Sequence, residues 1–110
     1  MHVKGLSDQS VHGVADTFKL LSDTTRVRIL DALAHAELCV SDIARRLALS
    51  ESAVSHQLRL MRGMRVVRSR RNGRLVFYTL DDPHIVKLFE QALEHVEESG
   101  RRPSGNGDRR

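Results

Sequence analysis

Four side chains of types that bind metal ions lie along one segment near the end of the chain: Asp82, His84, His95 and Glu98. His84 and His95 are eleven positions apart, so on an α-helix they point within about 20° of each other. Glu98 lies about one turn further along, on nearly the same line. Carboxylate and imidazole ligands without thiolates suit tetrahedral Zn(II) or Co(II). The residue types and their spacing therefore predict a metal site on one edge of a helix.

Within one copy of this helix, the candidate ligands are too far apart to bind the same ion. At a rise of 1.5 Å per residue the two histidines are about 16 Å apart along the axis, whereas zinc ligands lie at about 2.0–2.2 Å from the ion. In two antiparallel copies, Asp82 and His84 of one chain would meet His95 and Glu98 of the other, and twofold symmetry would give two equivalent sites. The alternative is a solvated helix flank that carries two surface histidines.

The segment that positions these ligands has the signals of a helix. Asp82 is a good N-cap, and Pro83 stands at the first helical position, where its missing N–H costs nothing. An apolar stripe of helical period runs beside the candidate ligands. Its members are Ile85, Leu88, Phe89, Ala92, Leu93 and Val96. We expect this stripe to form the seam of a homodimer.

The net charge of +4 is unevenly distributed along the 110 residues. Residues 41–74 contain nine arginines, no lysine and two acidic residues, which gives +7, whereas residues 75–98 carry −5. Arginine binds phosphate through two parallel hydrogen bonds, so the basic third of the chain suits a polyanion. The acidic segment suits a divalent cation. A merely solubilising surface is the alternative for the arginines.

The basic segment begins with a predicted helix-turn-helix. Ser41 is the expected N-cap of a short helix, Ala48-Leu49 a tight turn, and Ser50 the cap of a second helix that runs from Glu51 to Met64. The second helix carries hydroxyl, amide, imidazole and guanidinium groups that suit the edges of bases in the major groove. The candidate DNA-binding residues on it are Ser52, Ser55, His56, Gln57 and Arg59.

A β-hairpin is predicted next, with strands at residues 66–71 and 75–80 around the turn signal Asn72-Gly73. Arg70, Arg71 and Arg74 surround its tip, and we expect them to contact the phosphate backbone as a wing. An ordinary surface hairpin is the alternative. Two further helices precede the helix-turn-helix, and the first of them shows an apolar face. That face consists of Val14, Ala15, Phe18 and Leu21.

These elements predict a mainly α chain with a β-hairpin wing. We expect a flexible N-terminus over residues 1–10, a winged helix-turn-helix dimeric domain over 11–98, and a disordered basic tail over 99–110. No apolar run is long enough for a membrane span or a signal peptide. One cysteine cannot form an internal disulfide. We therefore expect a cytoplasmic protein without a membrane partner.

Enzymatic activity is not expected. A zinc ion held by four protein ligands has no open position for a water molecule. The sequence also shows no Ser–His–Asp or Cys–His constellation.

The order of elements and several stretches resemble the ArsR/SmtB family of winged-helix metal-responsive repressors. The resemblance covers about residues 14–98. It is carried by Leu20-Leu21-Ser22-Asp23 with Arg26, by Glu37-Leu38-Cys39-Val40, by the run from Ser50 to Leu58, and by Asp82 through Glu98. The D-x-H…H-x-x-E set is similar to that of the branch that senses zinc or cobalt through its last helix. The resemblance thus implies that Asp82, His84, His95 and Glu98 bind metal across a homodimer.

The resemblance also implies a mechanism. The apo dimer would bind a palindromic operator, and Zn(II) would lower its DNA affinity and derepress genes of metal efflux or homeostasis. A hydrogen bond from His95 to the main chain around Arg65 would couple the metal to the recognition helix. By linkage, DNA must weaken metal binding by the same factor.

Some alternatives stay open. Nickel or cobalt is the alternative effector, and a winged-helix regulator with no effector is the alternative function. A second metal site could use Cys39, Asp42 and a histidine such as His2 or His12, although a buried cysteine is more often a small core residue. Ala48 replaces the glycine usual in the family, so the turn must avoid positive φ or be strained.

Overall fold

The computed structural model describes residues 5–100, which form five helices and a small antiparallel sheet. The helices are α1 (Asp8–Leu20), α2 (Thr24–His35), α3 (Val40–Leu47), α4 (Glu51–Gly63) and α5 (Pro83–Gly100). The strands are β1 (Leu38–Cys39), β2 (Val67–Asn72) and β3 (Leu75–Leu80), in the order β1-β3-β2. This is the predicted mainly helical winged helix-turn-helix. No helix within residues 5–100 combines the length and the apolar character that crossing a bilayer requires.

Side-chain caps fix where most of the helices begin. Ser7, Asp23 and Ser50 each accept a hydrogen bond from the backbone N–H three residues later, at 3.0–3.1 Å. Asp82 caps α5 by accepting from the backbone N–H of His84 at 2.9 Å and of Ile85 at 3.4 Å. The predicted caps at Ser50 and Asp82 are confirmed.

Both ends of the domain differ from the prediction. Helix α1 begins at Asp8, inside the segment expected to be flexible, because Ser7 supplies its cap. Helix α5 runs to Gly100 and so includes the first two residues of the expected disordered tail. The rest of that tail, residues 101–110, and residues 1–4 lie outside the described residues.

The segment before α3 is a strand and not a plain connection. Leu38 and Cys39 pair with Tyr78 and Phe77 of β3. The prediction that Ser41 caps α3 is wrong, because the helix already begins at Val40 with Cys39 in the cap position. The pairing with β3 extends the backbone as far as Cys39, so the chain turns into the helix there.

Ala48 ends α3 in the left-handed conformation, with φ 56° and ψ 45°. The sequence predicts that an alanine here either avoids positive φ or is strained, and the structure shows the strained alternative. A left-handed L-residue costs roughly 1–2 kcal/mol. Its N–H bonds the carbonyl of Arg45 at 3.4 Å, and that of Leu49 bonds Ala44 at 3.0 Å, so the helix end is closed despite the strain.

The hairpin turn lies one residue later than predicted. Asn72 pairs with Leu75, so the two loop residues are Gly73 and Arg74. Gly73 has φ 66°, whereas Arg74 is not among the described residues with positive φ. Glycine at the first loop position with an ordinary second residue is the pattern of a type II′ hairpin turn, whose twist matches that of the strands.

A single core joins α2, α3, α4 and the sheet. Its most deeply buried side chains, which are at most 2% exposed, are Leu20, Ile29, Leu30, Ile43, Val54, Leu58, Met61 and Val67. Each such side chain contributes about 1.5–3 kcal/mol by leaving water. Helices α1 and α5 contribute little to this core, since their only members among its buried residues are Leu20 and Ile85.

Much of the apolar face of each terminal helix is left uncovered by the described chain. Val14 and Phe18 of α1 are 47% and 57% exposed, and Leu93 and Val96 of α5 are 42% and 61% exposed. A cavity of about 290 Å³ lies against this face, lined by Leu21, Val27, Phe89, Ala92, Leu93 and Val96. The predicted helical period of both stripes is confirmed, but only one end of each stripe packs on the core. Ile85 is buried and Leu21 and Phe89 are partly buried against it, whereas the other ends of the two stripes are exposed.

Candidate metal centre and nucleic-acid interface

The first half of the candidate metal centre lies at the start of α5. Nδ1 of His84 is 3.4 Å from Oδ1 of Asp82, and the His84 side chain is 95% exposed. Oδ1 of Asp82 also caps the helix, whereas no hydrogen bond to its Oδ2 occurs among residues 5–100. A half-buried carboxylate and an imidazole that is open to solvent thus stand side by side.

The second half lies in the last turns of the same helix. His95 and Glu98 are both exposed, and neither forms a hydrogen bond or ion pair with another described residue. Within residues 5–100 of one chain, no three histidine, cysteine, aspartate or glutamate side chains come together around a common point. Any centre that uses all four residues therefore needs a second chain.

The donor set itself fits Zn(II) or Co(II). Two imidazole nitrogens and two carboxylate oxygens make four ligands, the usual number for a closed zinc site. His84, His95 and Glu98 are exposed on α5, and Asp82, directly before the helix, is half-buried. The unpaired Oδ2 of Asp82 leaves a ligand oxygen available while the other oxygen holds the first turn.

Helix α4, the second helix of the helix-turn-helix, presents one polar stripe to solvent. Ser52, His56 and Arg59 are exposed and Ser55 is half-buried. These four positions are spaced i, i+3, i+4 and i+7, so they point within about 100° of one another. Their hydroxyl, imidazole and guanidinium groups can hydrogen-bond base edges and phosphates in a major groove.

Gln57 does not share that stripe. It is half-buried, and its Oε1 is buried with no hydrogen-bond partner among the described residues. At 100° per residue it lies about 100° around the helix from His56. The structure therefore separates Gln57 from the other predicted DNA-binding residues of α4.

The arginines of the wing fall into two groups. Arg71 and Arg74 are exposed and form no hydrogen bond or ion pair with any residue in the range 5–100. Arg70 is held by Glu37, to whose Oε2 and Oε1 its Nε and Nη2 donate hydrogen bonds of 2.7 and 2.6 Å. The hydrogen bonds from Arg70 hold the pKa of Glu37 below its usual range, and the same bonds raise the pKa of Arg70.

Arg65 stands at the junction between α4 and β2 with φ 63°, the second described non-glycine residue in the left-handed region. Its N–H bonds the carbonyl of Arg62 at 2.9 Å, which closes the end of α4. No hydrogen bond joins His95 to this junction within the described chain. Arg65 is nevertheless a point of backbone strain between α4 and the wing.

Cys39 and Asp42, the candidates for a second metal site, already contact each other. Sγ of Cys39 lies 3.2 Å from Oδ2 of Asp42 and 3.2 Å from Oγ of Ser41. The hydrogen bond from Cys39 lowers the pKa of Asp42, and Arg45 pairs with the same carboxylate at 2.7 Å. His12 is exposed on α1, and His2 lies outside the described residues. The arrangement is that of a buried thiol in a local hydrogen-bond network.

Sequence reasoning missed two acidic residues that organise the wing. Glu37 pairs with Arg70, and Asp81 pairs with Arg68 at 2.9 Å. Both pairs join residues far apart in sequence, so neither periodicity nor a local motif points to them. A weak signal exists for Asp81 alone, because it directly follows β3, the strand that pairs with the arginine-rich β2, whereas Glu37 precedes β1, which pairs with β3.

Comparison with known proteins gives a consistent result. Residues 23–69 match the family described as bacterial regulatory protein, arsR family. The chain is 48% identical over 86 residues to a transcriptional repressor SmtB homolog of Synechocystis, a match that covers 78% of this chain and 65% of that protein. It is 43% identical to a cadmium resistance transcriptional regulatory protein CadC homolog of Staphylococcus aureus, over 86% of this chain and 79% of the relative.

Solved structures share the fold over nearly the whole chain. The antimony-specific transcriptional repressor AntR superposes with a TM-score of 0.84 at 31% identity, over 93% of both chains. A homodimeric winged helix-turn-helix DNA-binding domain from Mycobacterium bovis gives 0.76 at 27% identity, over 88% of this chain and 93% of that one. The four α5 residues, the polar stripe of α4 and the basic wing therefore stand on a fold that other proteins use to regulate transcription.

Proposed function

Because this chain belongs to the ArsR family of bacterial regulatory proteins, we propose that it is a metal-responsive transcriptional repressor whose effector is Zn(II). The chain is a DNA-binding regulator by family and not an enzyme. The observation that carries the metal assignment is the pair of ligand sets at opposite ends of one exposed helix, α5. Each set is half of a tetrahedral site, and the two sets lie beside an uncovered apolar face.

The proposed active form is a homodimer in which the two α5 helices pack antiparallel. The apolar face of α1 and α5 is the surface it buries, since Phe18 and Val96 are more than half exposed in one chain. A related structure is described as homodimeric. In this dimer, Asp82 and His84 of each chain face His95 and Glu98 of its mate, so each dimer holds two metal ions.

In the proposed complex with DNA, the two α4 helices enter successive major grooves of a palindromic operator. Ser52, Ser55, His56 and Arg59 face the base edges, and Arg71 and Arg74 of the wing face the phosphates. Most of the affinity comes from the arginines, because phosphate contacts release counterions and make binding depend strongly on salt. The residues of α4 supply the sequence preference. Acting on DNA in this way, the protein would work in the cytoplasm.

Metal binding is proposed to weaken DNA binding through the position of α5. When the four ligands hold Zn(II), the rings of His84 and His95 are fixed in one orientation. His95 then holds its other nitrogen towards the main chain near Arg65, at the junction of recognition helix and wing. This arrangement favours a spacing of the two α4 helices that the operator does not match. Metal and DNA must then weaken each other's binding by the same factor.

The choice of metal within this proposal rests on the donor chemistry. The related proteins include ones named for cadmium resistance and for antimony specificity, whereas four N and O ligands favour zinc or cobalt over such soft metals. Nickel, which accepts more ligands, is the alternative effector. A regulator in which α5 serves assembly alone is the alternative of a different class, and the uncovered apolar face favours it equally.

A subunit-mixing experiment tests the proposal. One variant, Asp82→Ala with His84→Ala, lacks the first half of the site, and another, His95→Ala with Glu98→Ala, lacks the second. Each homodimer should bind no Zn(II) at α5 and should keep its operator DNA at zinc concentrations that release the wild type. The mixed dimer should regain one tight zinc ion, because it contains one complete pair of halves.

The outcomes separate the alternatives. No zinc recovery in the mixed dimer would contradict a site shared between subunits. Wild-type operator affinity that does not change with zinc, cobalt or nickel would leave a regulator without a metal effector. His35→Ala is a control for histidine loss, since this exposed residue at the end of α2 bonds the carbonyl of Asp31 and lies outside the proposed site.

A further inference from the structure

Arg70 is tied to a residue 33 positions away by the geometry in which arginine binds a carboxylate most firmly. Its two hydrogen bonds to Glu37, of 2.6 and 2.7 Å, are parallel and fix the planes of both groups. Its Cζ also lies 5.1 Å from the centroid of the Phe77 ring, within the range of a cation–π contact. The Glu37 side chain is only 31% exposed.

The path of these contacts crosses the whole sheet. Arg70 is on β2 and is in register with Phe77 of the central strand β3, which is in turn in register with Cys39 of β1. Glu37 immediately precedes β1. The arginine therefore reaches from one edge strand, over the ring of the middle strand, to the segment that leads into the other edge strand and α3.

Arg71 and Arg74 differ from Arg70 in each of these respects. Consecutive residues of a strand point to opposite faces, so the side chain of Arg71 leaves the sheet on the other side from Arg70. Arg74 is in the turn at the tip. Both are exposed and have no ion-pair partner in residues 5–100, which leaves their guanidinium groups available to a polyanion.

We propose that Arg70 and Glu37 form a brace that holds the wing in its orientation, and that Arg70 is a positioning residue and not a phosphate contact. The inference rests on the proposed DNA-binding function for its consequence, although the brace itself does not. A two-stranded ribbon alone is only marginally stable in water. β1 is two residues long, so its pairing with β3 is a weak attachment that a third link strengthens.

The brace favours DNA binding because it restricts the motion of the wing before DNA binds. A wing already held in the orientation that DNA requires loses less conformational freedom when the complex forms. An exposed ion pair contributes little to overall stability. We therefore expect the effect of the brace in the mobility of the wing and in DNA affinity, with almost no change in the unfolding midpoint.

Glu37→Gln distinguishes the two roles by the sign of its effect. If Arg70 is a phosphate contact, Glu37→Gln removes a nearby negative charge and frees Arg70, so DNA binding should tighten and its salt dependence should become steeper. Loss of the brace should weaken binding about two- to fivefold, the range expected for one ion pair, and leave the salt dependence unchanged. The two predictions are opposite.

Arg70→Lys and Arg71→Lys form a matched pair. Lysine keeps the charge but cannot make the parallel two-bond contact. A phosphate contact should therefore tolerate the change at both positions. The brace should not, so Arg70→Lys should weaken DNA binding about two- to fivefold whereas Arg71→Lys should have no effect. Glu37→Gln combined with Arg70→Lys should be no worse than either change alone, because both remove one interaction.

The experiment measures two quantities on the full-length chain and on these variants. The first is affinity, at several salt concentrations, for a duplex that the wild-type protein selects from a random-sequence pool. The second is amide hydrogen exchange of β1, β2 and β3 without DNA. Glu37→Gln and Arg70→Lys should exchange about two- to fivefold faster across the sheet, and Arg71→Lys should match the wild type.

Each result has a definite reading. Unchanged exchange in Glu37→Gln and Arg70→Lys overturns the brace. Faster exchange with unchanged or tighter DNA binding overturns its role in positioning the wing. A wild-type protein that binds no duplex contradicts the proposed function instead, and the exchange measurements still decide whether the brace exists.

Discussion

The winged helix-turn-helix and the terminal helices α1 and α5 differ in how fully one chain buries their apolar side chains. Helices α2, α3 and α4 and the sheet share a buried core, and Asp23 and Ser50 cap α2 and α4. Helices α1 and α5 have equally regular apolar stripes, yet much of each stripe stays exposed, including Val14 and Phe18 of α1 and Leu93 and Val96 of α5. The candidate ligands on α5 are likewise two half sets.

This difference matches two structural requirements, one for binding DNA and one for responding to an ion. Reading DNA needs a rigid surface, and one chain supplies it by packing α4 against α3 and the wing. Responding to an ion needs an element whose position can change, and a helix that finds its partner in another subunit is such an element. Under the proposed function, the uncovered helices would therefore carry the regulation, and the closed core with α4 and the wing is what they would act upon.

The largest contrast is expected in stability. Leu58→Ala removes a side chain that is 0% exposed, so the variant should lose about 2–5 kcal/mol of the free energy of unfolding. Leu93→Ala makes the same chemical change on the open face of α5 and should cost much less in dilute protein. Urea denaturation of both variants at two protein concentrations measures this. Equal losses at low concentration would contradict the division into closed and open regions.

The next effect concerns association. Phe18→Glu places a charge on the proposed seam and should weaken dimerisation by about 2–4 kcal/mol, or roughly 30- to 1000-fold. Sedimentation equilibrium measures it, and operator affinity should fall with it. Leu75→Glu changes another exposed leucine, on the wing, and should leave the dimer intact. A dimer unaffected by Phe18→Glu would place the interface elsewhere.

Metal affinity should show a smaller effect. His84→Ala removes one ligand from each proposed site and should weaken Zn(II) binding about 100-fold, while DNA binding by the metal-free dimer stays unchanged. Competition with a chelator and DNA binding without metal measure the two properties. If the variant binds Zn(II) as tightly as the wild type, His84 is a surface residue on a solvated helix flank and not a ligand of the proposed site.

The smallest effect lies within the closed region. Ala48→Gly relieves the left-handed strain between α3 and α4 and should raise the free energy of unfolding by roughly 0.5–1 kcal/mol. Ala36→Gly is the matched control, because its φ of −165° is ordinary extended backbone, and it should be neutral or destabilising. Denaturant midpoints compare the two, and equal shifts would show that Ala48 stores no strain.

Local signals in the sequence predicted most of the fold. The caps at Ser50 and Asp82 and the apolar periods of the helices depend only on neighbouring residues, and all of these are confirmed. Gly73 marked the hairpin, although the loop is shifted by one residue. The start of α1 was missed because a serine cap at residue 7 looks like any polar terminus.

Contacts between distant residues were beyond the reach of such signals. Strand β1 exists because Leu38 and Cys39 pair with β3, and a two-residue strand has no period of its own. Arg70 was assigned to DNA from its place near the wing tip, and only the folded chain places it against Glu37. The assignment of the four α5 ligands to a metal remains a prediction, since half of each proposed site belongs to another molecule.

The cap at Asp82 has an electrostatic consequence for the proposed dimer. The beginning of a helix carries a partial positive charge of about +0.5 and its end about −0.5. A cation beside His84 is therefore opposed by the dipole of its own helix, whereas one beside Glu98 is favoured. Antiparallel pairing gives every ion one helix end of each sign, so the field of the mate offsets the repulsion that the first helix exerts.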